Sequence, residues 1–131
     1  MFRLTRPVFQ PVLKKTTGIT GIPVHPNPLP ALRKTYEETL KLAANIPAGA
    51  VYRQSVEALT QNKLRILEDA QGSIEVAEKQ LDEGQIEEAL EVAQDELKTV
   101  ANMIEWKAWE PLVEKPASGQ WEYFGKTSGS L

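Results

Sequence analysis

Apolar residues recur from Leu29 onward at helical spacing: Leu29, Leu32, Tyr36, Leu40 and Ala43 form one stripe along a continuous face. Asn27 followed by Pro28 and Pro30 marks its start, because proline is tolerated in a first turn, where its missing N–H has no helical partner. Pro47 and Gly49 break the pattern. A second stripe runs through Tyr52, Val56, Leu59, Lys63, Ile66 and Leu67, with polar Arg53, Gln54, Glu57, Gln61 and Arg65 between them. Lys63 on that face lays its methylenes along the core and carries its amine out to water. Gly72 and Ser73 interrupt, and Ser73 is placed to cap a short helix through Ile74, Ala77 and Leu81, with Glu75 in its positive first turn. Gly84 ends it.

The longest periodic segment follows: Ile86, Ala89, Leu90, Ala93, Leu97, Val100, Ala101 and Ile104. Glu87 and Glu88 fall in its first turn, where exposed N–H groups favour carboxylates. Pro111 limits its far end, since the residue before a proline is driven out of helical geometry. No alternating strand pattern and no solenoid period interrupts these segments. The expected fold is all-α: a small antiparallel helical bundle of three main helices plus one short helix over residues 28–110. An extended arm (1–27) precedes it and an extended aromatic, proline-bearing tail (111–131) follows.

Charge sharpens that division. The chain has 131 residues and a formal net charge of −3, but its first acidic residue is Glu37. Arg3, Arg6, Lys14, Lys15, Arg33 and Lys34 stand unopposed before it, so a basic arm precedes an acidic body. In the opening MFRLTRPVFQPVLKK, apolar residues alternate with bases and hydroxyls, the chemistry of a mitochondrial address, although Pro7 and Pro11 spoil a long amphipathic helix. A basic tail without that role is the other reading, and nucleic-acid binding is disfavoured because the body would be repelled by phosphate. The longest uncharged stretch, Thr16 to Leu32, is 17 residues and holds four prolines, too short and too broken for a membrane helix.

The catalytic inventory is thin. With no cysteine, thiolate metal sites, disulfides and cysteine nucleophiles are excluded. The single histidine, His25, lies between Val24 and Pro26 in the arm, where no rigid scaffold is expected to hold it. Glu87, Glu91 and Asp95 recur every four residues on one helix face. They lack the Glu-x-x-His pairs of a diiron bundle, which leaves a solvated face or a docking surface for a basic partner. TTGITG at 16–21 lacks the lysine of a phosphate-binding loop and is read as a turn. The remaining concentration is aromatic: Trp106, Trp109, Trp121, Tyr123 and Phe124 fall at the C-terminal side. Trp106 and Trp109, three apart, are expected to share a helix edge, covered either by the chain's own tail or by another protein, for which tryptophan is a favoured anchor.

Several segments resemble one family: LKKTTGITG (13–21), AVYRQSVEALTQNKL (50–64), GQIEEALEVAQDELKTV (84–100) and, above all, EWKAWEPLVE (105–114) followed by QW at 120–121. They are similar to the NADH:ubiquinone oxidoreductase 1 alpha subcomplex subunit 5 family, accessory subunits of mitochondrial respiratory complex I. Residues 1–12 precede the start of some members, and 125–131 extend past the aromatic tail. The resemblance implies a small helical, non-catalytic subunit with no flavin, iron–sulfur cluster or quinone of its own. It also implies a peripheral place at the mitochondrial inner membrane, on the matrix side, against core subunits of the hydrophilic arm. There it would support assembly and stability of the complex. Trp106, Trp109, Glu110, Pro111 and Trp121 match the family's signature and are assigned packing or docking roles; no catalytic, cofactor or metal residue is carried over. The alternative is a freestanding matrix adaptor or assembly chaperone. A carboxylate enzyme built on Glu87 and Glu91 is a third class, for which nothing positions a cofactor.

Overall fold

The computed structural model describes residues 14–120. Four helices account for the regular structure: α1 (Pro28–Ala43), α2 (Val51–Asp69), α3 (Ile74–Leu81) and α4 (Ile86–Trp106). The all-α bundle of three long helices and one short one is therefore the observed fold. Helix α1 lies at its centre. It packs most extensively against α4 and next against α2, while α3 bridges α2 and α4 with smaller contacts.

Small residues make the α1–α4 approach possible. Ala89 and Ala93, one turn apart on α4, are buried with Leu32 and Tyr36 of α1, and Ala70, Ala77, Ile86 and Leu90 complete that cluster. At the other end of α1, a second cluster joins Ala43, Ile46, Ala50, Val56 and Val100. The apolar stripe underestimates what α1 buries, because Thr35 and Thr39 are also inside. Their hydroxyls donate to the carbonyls of Ala31 (3.0 Å) and Thr35 (2.8 Å), one turn back, so neither group enters the core unsatisfied.

Local signals set the element ends. Pro28 occupies the first turn of α1. The Ser73 hydroxyl accepts from the Val76 N–H at 3.4 Å at the start of α3. At the start of α4, the Gln85 N–H donates to Glu88 Oε2 (2.8 Å) and the Ile86 N–H to Glu78 Oε1 (2.8 Å), so two carboxylates satisfy donors that the helix cannot. Gly84 has φ +83°, a left-handed backbone that favours glycine, and a β-carbon there would displace the Glu88 carboxylate from its cap.

Three expectations change. On α2, Leu59 is 61% exposed and Thr60 is buried, so the covered face is rotated from the predicted stripe. Lys63 is only partly exposed, and its amine is engaged by the protein: Nζ lies 2.5 Å from Glu83 Oε1 and 5.8 Å from the Tyr36 ring centroid. Helix α4 stops at Trp106, before Pro111 can act, because Lys107 turns left-handed (φ +50°) and its N–H closes on the Met103 carbonyl at 3.0 Å.

Arg53 is the main tie on the α1–α2 turn, with Gln54 Nε2 donating to the Ala48 carbonyl (3.0 Å) beside it. Arg53 pairs with Glu57 (2.7 Å) and donates through Nη1 to the carbonyls of Ala44 (3.2 Å) and Ile46 (2.5 Å), where the negative end of α1 favours a cation. Replacing it leaves those carbonyls to solvent. Arg53→Ala is expected to lower unfolding free energy by about 1–2 kcal/mol, with Arg53→Lys recovering less than half; urea melts of the two variants check this.

Candidate docking surfaces

The arm is not a free strap over residues 14–27. Thr17 organises its first turn: Oγ1 donates to the Ile22 carbonyl (2.5 Å) and accepts from the Ile19 N–H (3.2 Å), while Gly18 and Gly21 take positive φ. The TTGITG segment is thus a turn, as its glycines predict. Gln85, just before α4, then receives the arm with both ends of its amide. Its Nε2 donates to the Thr17 carbonyl (2.7 Å) and its Oε1 accepts from Lys14 Nζ (3.0 Å).

Lys14 also reaches Glu87 Oε2 at 2.5 Å and Glu78 Oε1 at 3.8 Å. Glu87 is only 4% exposed, which overturns its place on a solvated acidic face. Burial pushes its carboxyl up, but Lys14, its own backbone N–H and that of His25 (3.4 Å) outweigh burial and hold it below the usual carboxylate range. His25 is held as well. Its Nδ1 accepts from the Asn27 N–H (3.1 Å), and the expectation of an unscaffolded histidine gives way to one fixed beside the first turn of α1. Glu91 and Asp95 remain exposed, so the four-residue acidic series divides between an internal ion pair and a solvent face. Among the described residues, no group of three or more His, Asp or Glu is disposed to hold a metal ion, and no helix is long and apolar enough to cross a membrane.

The two tryptophans nearest α4 do not share a helix edge, because the left-handed Lys107 separates them. Trp109 folds back and packs, half-buried, with Leu42, Tyr52, Met103 and Ile104 against the Ala43–Val100 cluster. Trp106 stays 64% exposed. Beside Trp109 an open cleft of about 400 Å³ is lined by Pro47, Ala50, Val51, Met103 and Ala108 among others. Val51 (76%), on the cleft, and Leu112 (74%) and Val113 (fully exposed), in the segment after α4, are further large apolar side chains left outside. Glu110 and Pro111 are exposed, and Trp121 lies outside the described residues. Sequence spacing missed the reversal at Lys107 because nothing but tertiary closure calls for a lysine there. Lys14 was visible only as one of six bases, since its carboxylate partners are more than 60 residues away.

The described residues form a small all-α protein with one buried carboxylate neutralised by the arm and several large apolar side chains left exposed. The comparisons name the kind. The family described as the ETC complex I subunit conserved region matches residues 21–88. A Candida albicans protein, NADH dehydrogenase (ubiquinone) 1 alpha subcomplex subunit MCI4, is 52% identical over 84% of this chain and 79% of its own length. The Bos taurus NADH dehydrogenase (ubiquinone) 1 alpha subcomplex subunit 5 is 40% identical over 86% of this chain and 96% of its own, and the Mus musculus protein of that name is 38% identical over the same shares. The chain belongs to this family of complex I alpha subcomplex subunits.

Two outcomes follow from the geometry. A carboxyl held below its unfolded value stabilises the fold above the unfolded pKa of about 4.3 and loses that contribution as pH falls through the lower, folded value. Lys14→Met should therefore cost about 2 kcal/mol at pH 7, and its deficit against the parent should shrink below pH 4 in paired thermal melts. Trp109→Ala removes a packed ring and should destabilise the isolated chain by about 2–3 kcal/mol, whereas Trp106→Ala should leave its melting temperature within a degree or two.

Proposed function

We propose that this chain is a non-catalytic accessory subunit of mitochondrial NADH:ubiquinone oxidoreductase. It sits peripherally at the inner membrane on the matrix side, where it stabilises the complex that passes electrons from NADH to ubiquinone. Family membership across most of the chain supports the reading, and the observation that carries it structurally is the exposed Trp106 on a well-packed bundle. An indole left outside while Trp109 is folded in is an unfavourable surface unless another protein covers it. Leu112 and Val113, both exposed, extend the same logic into the segment after α4.

The division of labour follows from the residues. Lys14, Thr17 and Gln85 hold the arm to the body, so the outer surface of residues 14–27 is presented in one conformation. Trp109 secures the turn after α4, and Trp106 is the anchor offered to the neighbouring subunits. Core subunits of the hydrophilic arm are the proposed neighbours, and the basic residues before Lys14 the proposed import signal.

In native gels of mitochondrial membranes the chain should migrate with NADH dehydrogenase activity at one copy per complex. Trp106→Ala should reduce the bound fraction at least about tenfold, as loss of an interface tryptophan of about 2 kcal/mol or more would, without lowering the stability of the isolated chain. Migration apart from that activity, or a copy number far below one, would place the protein among transient adaptors instead.

A further inference from the structure

Helices α2 and α4 each pack on α1 but make no extended contact with one another. A closed three-helix bundle would seal that side. Here a groove of about 240 Å³ remains, with Tyr36 and Thr39 of α1 along it and Leu59 and Val92 on its two banks. Both bank residues are unusual for their type, Leu59 being 61% and Val92 52% exposed. Side chains of α2 close the groove at its ends, one onto α4 and one onto the turn before it. Tyr52 donates to Glu96 Oε1 at 2.7 Å, and Lys63 meets Glu83 at 2.5 Å. Tyr52 and Lys63 are eleven residues apart on α2, about 16 Å at 1.5 Å per residue. That length accommodates anchors at i, i+4 and i+7 of a second helix, and the volume suits inserted side chains.

Charge says what kind of helix. On α4, Val92 is flanked one turn before and one turn after by Glu88 and Glu96, neither of which has a cationic partner within 4 Å among the described residues. Asp95, three residues on, is exposed and meets only Lys98. Lys63, on the opposite bank, is already neutralised by Glu83. Glu88 caps the Gln85 N–H and Glu96 accepts from Tyr52 through one oxygen each, so one bank carries carboxylate charge that no cation offsets, and the other is close to neutral. A second copy of this chain would bring an acidic body to an acidic rim. We propose that the α2–α4 groove receives an amphipathic helix of a neighbouring subunit, its apolar stripe on Leu59 and Val92 and its Lys or Arg flank toward Glu88 and Glu96. The inference rests on the assembly reading above but concerns a surface separate from Trp106.

The test uses the full chain in its native complex. A photoreactive benzoylphenylalanine replaces Ser55, which is exposed and lines the groove, and irradiated complex is digested and sequenced by mass spectrometry. The expected capture is a segment of another subunit with apolar residues at i, i+4 and i+7 and a basic flank. Val92→Lys should reduce its yield at least about tenfold, while Val92→Leu should retain it. No capture, capture of a second copy, capture of residues 1–13 of this chain, or a yield indifferent to Val92→Lys would overturn the proposal while co-migration with NADH dehydrogenase activity persists. Loss of that co-migration by the unsubstituted chain would overturn the assembly reading first, and this one with it.

Discussion

Helix α1 has to bury two sides at once, and the rest of the molecule is arranged around that constraint. A helix covered on one side needs a single apolar stripe. Covered by α4 and α2 together, α1 must also take in positions that a surface helix leaves polar, and threonine fills them because its hydroxyl can be satisfied within its own helix. Alanines on α4 bring that helix close, while α2 is held by its turn, by Val56 and Thr60, and by long polar side chains. A central helix with two flanking ones leaves the flanks touching only sparsely, through Tyr52 and Glu96 and at the Val56–Val100 end, which is why the body has an open side.

The second organising feature is the polar junction before and within the first turn of α4. Gln85, Glu78, Glu87 and Glu88 each answer a different group there: two backbone donors of the helix start, the amine of Lys14 and the carbonyl of Thr17. A buried carboxylate without its cation is strongly unfavourable, so the arm is required by the body as much as it is supported by it. A chain with few residues for a core thereby gains a covered end through paired polar groups.

Much of this was legible in residue spacing. The beginnings of α1 and α3, the glycine break at 84 and the long periodic run of α4 all rest on local chemistry: proline at a first turn, a hydroxyl cap, a left-handed turn. The signature tryptophans were found for the same reason, as an unusual local string. What spacing could not supply is which neighbouring face a second element covers. Leu59 and Thr60 are adjacent, and only the position of α1 decides that the threonine goes inside. Glu87 is one of many acids until Lys14 arrives from the far end of the chain. Trp109 departs from Trp106 because a left-handed residue intervenes, and lysine gives no warning of that.

The connection between Lys14 and Glu87 also bears on the order in which the molecule can form. Its two partners are separated by most of the described chain, and the principal α1–α4 interface likewise joins early residues to late ones. Contacts of such span carry a loop-closure cost before they return anything. A growing or translocating chain that has delivered α1, α2 and α3 still lacks the helix that covers the first and neutralises the arm. Its largest helix–helix interface and its buried ion pair thus both wait on the last helix of the chain.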